Sequence, residues 1–163
     1  NDISDIASSY PDSNFNIVAD EFNRMLTSLK TIGVEVFLGD ERYFPSLYRA
    51  VYSSRKNNIY LNKAYMSDPG GLIRSTRHEG WHVAQDCKLG MKNKYMKPII
   101  SEKYIPKSYL KSVERIYADR HDNIEIEKGA YWAGFTVGMT EAALESCIEN
   151  EDKYINEILR SSD

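Results

Sequence analysis

Apolar residues recur at helical spacing near the start of the chain. The segment NFNIVADEFNRMLTSLK, residues 14–30, has apolar side chains at Phe15, Val18, Phe22, Met25, Leu26 and Leu29. Intervals of three and four residues are typical of one face of an amphipathic helix. Gly33 follows, so the pattern predicts that this helix ends there and that VEVFL, residues 34–38, forms a strand. Residues 1–13 lack this period and predict an irregular lead-in.

Two short β-rich segments follow the first strand. RAVYSS (49–54) and NIYLN (58–62) flank RKN, which predicts a hairpin. SDPGG, residues 67–71, then breaks the pattern, and Ser67 or Asp68 is placed to begin a helix. That helix is predicted over residues 72–89 and ends at Gly90.

The second half of the chain is mainly helical in pattern. Residues 91–107 contain two prolines and no clean period, which predicts a long loop. Residues 108–122 and 123–138 predict two helices. Thr140 is placed to cap a last helix whose apolar stripe comprises Leu144, Ile148, Ile155, Ile158 and Leu159. Many helices with few strands predict a single α+β domain over residues 1–163.

Composition is that of an ordinary globular protein. The 163 residues are 42% hydrophobic and 28% charged, with a net charge of −3. This balance gives no reason to expect nucleic acid or a membrane as a partner, and no apolar run approaches the length of a membrane span. Seven lysines between Lys88 and Lys111 face only one acid, Glu102, and predict a solvated loop rather than a nucleic-acid site. No secretory signal is visible, so cytoplasm is the default expectation, although a chain that begins with Asn1 has had something removed or left out.

Two cysteines, Cys87 and Cys147, lie far apart in the sequence. They match no C-x-x-C spacing of a metal or redox site. We therefore expect two buried or half-buried thiols rather than a disulfide.

The predicted helix over residues 72–89 contains the motif H-E-x-x-H as His78, Glu79 and His82. Residues four apart lie on one face of a helix, so the two imidazoles point at one place, as a zinc site requires. Glu79 lies about 100° round the helix and can reach water at the metal without being a ligand. Zinc lowers the pKa of the water it binds to about 7, and an adjacent carboxylate can accept the proton.

Two histidines do not complete a zinc site, and the third ligand must come from elsewhere. The variant with a further histidine at position 88 is excluded because Lys88 stands there. Glu127 lies one turn before Ala130 on a face that continues through Gly134 and Gly138, small residues that let another helix approach. Helical geometry turns Glu125 about 200° away, toward Lys128 and Trp132. The pattern favours Glu127, with His121 and Glu125 as the alternatives.

HEGWH at 78–82 followed by EKGA at 127–130 resembles the gluzincin branch of the zincin metallopeptidases. The resemblance implies Zn²⁺ held by His78, His82 and Glu127, with Glu79 as the general base. It also implies a zincin-like fold, with a small, mostly antiparallel sheet and a helix bundle that carries the motif helix. NIYLN resembles the edge strand that pairs with an extended peptide substrate in that fold. Small single-domain proteins of this kind occur in bacteria and phages.

The chain also departs from the family pattern. Many gluzincins have E-x-x-x-D, whose aspartate orients a ligand histidine, but Tyr131 stands at that position here. Other candidate orienting residues are Asp86, Asp119 and Asp122. Tyr117 and Tyr131 are candidates for stabilising the oxyanion, although packing is the simpler expectation for each.

Two functions follow from these residues. The first is a zinc-dependent peptidase that acts on a peptide or protein substrate. The second is a zincin-like structural or binding module that keeps the metal for stability or assembly, for example as a component of a larger particle. Glu79 favours the enzyme, because a purely structural site needs no general base. Two imidazoles and one carboxylate suit zinc best, although Mn²⁺, Co²⁺ or Fe²⁺ can occupy such a site.

Overall fold

The chain folds into helices packed against one small sheet. The computed structural model describes residues 1–91, 95–120 and 122–161, with the backbone alone described at 151–159 and 161. Within these residues the elements are α1 (Ile3–Ser9), α2 (Asn16–Ile32), β1 (Glu35–Gly39), β2 (Ala50–Ser53), β3 (Asn58–Asn62), α3 (Pro69–Cys87), α4 (Lys107–Ile116), α5 (Ile124–Gly134) and α6 (Met139–Ser161). This is an α+β architecture, as the sequence predicts. None of the described helices has the length and apolar character needed to cross a membrane.

The three strands form a mixed sheet in the order β1-β3-β2. β2 and β3 pair antiparallel, as the predicted hairpin requires, with Val51 opposite Tyr60. On the other side of β3, β1 runs parallel to it, with Phe37 opposite Tyr60. The prediction of a mostly antiparallel sheet is therefore wrong for one of the two pairings, because the chain crosses to the far edge before it forms the hairpin. NIYLN is consequently the central strand, and β1 and β2 are the edges.

The hydrophobic core lies between α2, the sheet and α3. Its buried side chains include Phe22, Met25, Leu29, Ile59, Leu61, Leu72 and Val83. Burying one such side chain contributes about 1.5–3 kcal/mol. α2 ends as predicted at Gly33, whose φ of 93° is a left-handed conformation that glycine adopts without a steric penalty. The core holds α3, the helix that carries the H-E-x-x-H motif, against the sheet.

Two local predictions are wrong at the ends of the chain. Residues 1–13 contain α1, because Asp2 caps the helix and Ile6 is buried in the core. Thr140 does not cap the last helix but lies inside its first turn. Its Oγ1 donates a hydrogen bond of 2.7 Å to the carbonyl oxygen of Arg77. The hydrophobic pattern displays neither the local cap at Asp2 nor the tertiary contacts of Ile6 and Thr140.

Cys87 and Cys147 form a disulfide, with their Cα atoms 6.1 Å apart. The prediction of two thiols is therefore wrong. The cysteines are 60 residues apart in sequence, so no short-range spacing signals their pairing. They meet because α6 runs alongside α3, where Gly80 faces Thr140 and Leu144. The bond fastens the C-terminal end of α3 to the last helix.

Candidate metal centre

Helix α3 presents three motif residues, His78, Glu79 and His82, to a cleft. The helix begins after Asp68, whose carboxylate accepts a 2.9 Å hydrogen bond from the Gly71 N–H. The two imidazole centroids lie 5.0 Å apart, as a spacing of four residues predicts. The His82 side chain is 6% exposed and that of His78 is 18% exposed. His78 is therefore the histidine that the cleft leaves more open to solvent.

Glu127 reaches both histidines from α5. Its Oε2 lies 2.9 Å from Nε2 of His78, and its Oε1 lies 3.1 Å from Nε2 of His82. The three donor atoms all lie within 4.8 Å of one another. We call these three residues the metal trio. Glu127 thus lies beside the two histidines, and its role as the third ligand stays a prediction.

Small residues let α5 approach α3 closely. Ala130 is fully buried at this crossing. A Cβ atom added at Gly134 would lie 3.2 Å from the Arg74 carbonyl oxygen and 3.6 Å from the Cβ of His78. Gly138, the third member of the predicted face, lies outside α5 in the turn before α6, with a φ of 85°. Two of the three predicted small residues therefore form the close approach that brings Glu127 to α3.

The alternative ligands do not share this placement. The Glu125 side chain is 57% exposed and accepts a 2.9 Å hydrogen bond from Nζ of Lys128. It points away from the metal trio, as helical geometry predicts. The other alternative, His121, lies outside the described residues.

Gln85 orients His82, a role that the sequence analysis did not assign. Its Nε2 donates a 3.0 Å hydrogen bond to the carbonyl oxygen of Ile126, which can only accept. The amide oxygen of Gln85 therefore faces Nδ1 of His82, 2.8 Å away, and that nitrogen carries the proton. The lone pair of His82 Nε2 is left for a metal. The signal available in the sequence was that Gln85 follows His82 by three residues on the same helix face.

Two of the three aspartates predicted to orient a histidine bind tyrosines instead. Asp86 is fully buried and accepts a 2.7 Å hydrogen bond from the Tyr52 hydroxyl. Asp122 accepts one of the same length from Tyr48. Asp119 is exposed. For His82, the orienting contact comes from a glutamine amide instead.

Glu79 is buried beside the metal trio. Burial raises the pKa of its carboxyl, and the Glu127 carboxylate acts in the same direction. The two histidines and the Tyr52 backbone amide oppose this rise. A carboxylate with a raised pKa is a better proton acceptor near neutral pH, which suits a general base.

The metal trio is electrostatically coupled. Burial opposes ionisation of Glu127, but the two histidines outweigh it and lower the pKa of that carboxyl. Burial likewise opposes protonation of His82, yet Glu127 and the other neighbours raise its pKa to about 9. Protons and a divalent cation therefore compete for the same atoms, because metal ligation requires the deprotonated imidazole nitrogen.

The cleft beside the metal trio has a volume of about 560 Å³. Two tyrosines are candidates for stabilising the oxyanion. Tyr117 lies beside the trio, where burial and then the Glu127 carboxylate raise the pKa of its hydroxyl. Tyr131 packs among aromatic rings, with centroids 6.1 Å from Tyr109 and 5.1 Å from Phe135. Of the two candidates, Tyr117 is therefore the one that lies beside the metal trio.

Strand β2 is an edge of the three-stranded sheet and lines the same cleft. The Asn62 N–H donates a 2.8 Å hydrogen bond to the Arg49 carbonyl oxygen. This bond shows which residues of β2 direct their N–H and C=O groups toward β3, because such residues alternate along an antiparallel strand. The backbone groups of Arg49 and Val51 thus face β3, whereas those of Ala50 and Tyr52 face away from the sheet. An extended chain in the cleft would meet the outward N–H and C=O of Ala50.

The functional side chains come from two helices and one edge strand. α3 supplies the two histidines and Glu79, α5 supplies Glu127, and β2 borders the cleft. A function has to be inferred from this geometry. Comparison with protein-family models, with curated proteins and with solved structures finds no match to this chain.

Proposed function

We propose that this chain is a zinc-dependent peptidase of the gluzincin type. The observation that carries the proposal is the convergence of the metal trio beside the buried carboxylate of Glu79, in an open cleft. Structural zinc sites are closed by four protein ligands, whereas catalytic sites use three and leave one position open. Three ligands beside a cleft support the catalytic class.

The donor set fits zinc. Two imidazole nitrogens and one carboxylate oxygen are the ligand types of the gluzincin site, and Gln85 fixes the tautomer that His82 needs for ligation. A zinc ion held by His78, His82 and Glu127 would supply a Lewis acid that lowers the pKa of bound water to about 7. The protein's own part is to position the three side chains and to hold the His82 ring in the orientation that ligation needs.

Glu79 is the general base in this proposal. Its carboxylate accepts the proton from the attacking water and returns it to the leaving amide nitrogen when the peptide bond breaks. The Tyr117 hydroxyl, which adjoins Glu127, donates a hydrogen bond to the oxygen that gains negative charge. Both groups belong to walls of the same cleft.

The substrate is an extended peptide laid along β2. Edge strands bind peptides by main-chain hydrogen bonds, which fix the position of the chain without reading its sequence. Ala50 offers its outward N–H and C=O for such pairing, and Tyr52 lies next to Glu79. The substrate-binding edge strand proposed here is therefore β2 and not NIYLN, which was predicted to be that edge.

The proposed place of action is an oxidising compartment. Disulfides form and persist mainly outside the reducing cytosol. The pairing of Cys87 with Cys147 supports this over the default expectation of cytoplasm.

The test is the Glu79→Gln variant, assayed with zinc on a library of quenched fluorescent peptides. We expect cleavage to fall by about 10²–10⁴-fold, because the general base is lost. Zinc content should stay near one per chain, because the ligands remain. Glu114→Gln, on the exposed side of α4, is the matched control and should keep full activity.

The outcomes separate the two functions. Cleavage by Glu79→Gln at the wild-type rate would overturn the mechanism. One zinc per chain with no cleavage of any peptide by the wild type would instead favour the structural or binding module. In that case removing zinc should lower the melting temperature.

A further inference from the structure

Arg120 stands in the cleft between two aromatic rings. Its Cζ lies 4.6 Å from the ring centroid of Tyr48 and 5.0 Å from that of Tyr117. Both distances suit cation–π contacts, which hold a planar guanidinium by its faces and leave its N–H edge for hydrogen bonds. All three residues line the cleft. The rings thus fix the direction of the Arg120 side chain.

The guanidinium of Arg120 has no anionic partner within the ranges described above. The nearby Asp122 carboxylate accepts its hydrogen bond from the Tyr48 hydroxyl, 2.7 Å away. Arg77 shows the contrast, since Glu21 binds it through two hydrogen bonds of 2.6 and 2.8 Å. A half-buried arginine that forms no ion pair with the described residues can still take a carboxylate from outside.

Arg120 also lies close to the proposed reaction. Tyr117, whose ring it contacts, adjoins Glu127 of the metal trio. A group bound by Arg120 would therefore lie on the side of the cleft where Tyr117 meets Glu127. Arginine and a carboxylate form two parallel hydrogen bonds, which give directional recognition as well as charge attraction.

We propose that Arg120 binds a carboxylate of the substrate next to the bond that is cut. The carboxylate is either the side chain of an acidic residue or the C-terminal carboxylate of the peptide. Arg120 is thus the residue that determines specificity in this cleft. This inference rests on the proposed function for the use of the site, but binding itself can be measured without cleavage.

The experiment measures peptide binding by fluorescence anisotropy on zinc-loaded protein that carries Glu79→Gln, so that no peptide is consumed. A labelled set contains glutamate peptides and their glutamine counterparts, each with a free or an amidated C-terminus. We expect the acidic form to bind at least about tenfold more tightly, which is the range of a charge-assisted hydrogen-bonded pair. Preference for internal glutamate or for a free C-terminus identifies the source of the carboxylate.

Arg120→Gln on the same background should bring the ratio of acidic to neutral affinity to about one. Arg120→Lys keeps the charge but loses the planar guanidinium that can form two parallel hydrogen bonds, and should give an intermediate ratio. The matched control is Arg55→Gln, an exposed arginine in the β2–β3 turn, which should leave the ratio unchanged. Zinc content and melting temperature of each variant show whether it is folded. The ratio is the decisive value, because a general loss of structure weakens all peptides alike.

Equal binding of acidic and neutral peptides, or no binding of any peptide, would overturn the inference. Cleavage by the protein with Glu79 intact is followed in parallel. Carboxylate preference without cleavage would leave the role of Arg120 standing and remove the peptidase. Cleavage without carboxylate preference would leave the peptidase standing and remove the role of Arg120.

Discussion

The two sides of α3 are built from different chemistry. Toward α5, the helix packs on small residues such as Ala130, and beside them it meets polar chemistry, where Glu127 bridges His78 and His82. Toward α6, it meets small and apolar groups, and a Cβ at Gly80 would lie only 2.8 Å from Cγ2 of Thr140. The Cys87–Cys147 disulfide fastens the end of that second contact.

The α5 side of the helix therefore carries the proposed metal site, and the α6 side holds the helix in place. Polar groups in a cleft hold a metal well only if the element that carries them does not move, because ligand geometry tolerates little error. The α6 side supplies the close contact at Gly80 and the disulfide, and the α5 side supplies the proposed ligand Glu127. Changes on one side should therefore alter metal binding, and changes on the other should alter stability.

The largest expected effect is on the α5 side, in Glu127→Ala. Removing one of three ligands should reduce zinc after dialysis from about one per chain to a small fraction, measured by elemental analysis. Glu125→Ala, two residues away on the exposed face, is the matched control and should keep about one. Equal zinc in both variants would show that the third ligand lies elsewhere, and His121 would be tested next.

The next largest effect is on the α6 side, in the double variant Cys87→Ser and Cys147→Ser. A cross-link between residues 60 apart restricts the unfolded chain, and its loss should reduce the free energy of unfolding by about 2–4 kcal/mol. Denaturant unfolding with zinc bound measures this change. Zinc affinity should stay at the wild-type value, and a tenfold loss of it would contradict the separation of the two sides.

The smallest effect is expected from Gln85→Leu, which removes the group that orients His82. Loss of such a supporting hydrogen bond usually weakens metal affinity by about 10–100-fold. A competition titration with a zinc chelator measures the change. The substitution also leaves the Ile126 carbonyl unpaired, so a melting curve without zinc is needed to separate stability from affinity. Unchanged zinc affinity would mean that His82 keeps its orientation without Gln85.

Local sequence patterns predicted most of the helices and the hairpin. They failed where distant segments decide the outcome. α1 has a local cap at Asp2, but its apolar residue Ile6 is buried only by contact with the core, and Thr140 turns inward to bind the Arg77 carbonyl. The parallel pairing of β1 with β3 likewise depends on a crossover that no local period encodes.

The sequence by itself determined the parts of the site that helical periodicity controls. A spacing of four residues puts His78 and His82 on one face, and the same period separates Glu127 from Glu125. Only the tertiary structure decided which groups surround them. The Ile126 carbonyl that holds the Gln85 amide, β2 as the cleft edge and the Cys87–Cys147 bond all depend on segments distant in sequence or in the sheet. The physical reason is that periodicity fixes directions around one element, whereas packing between elements fixes which side chains meet.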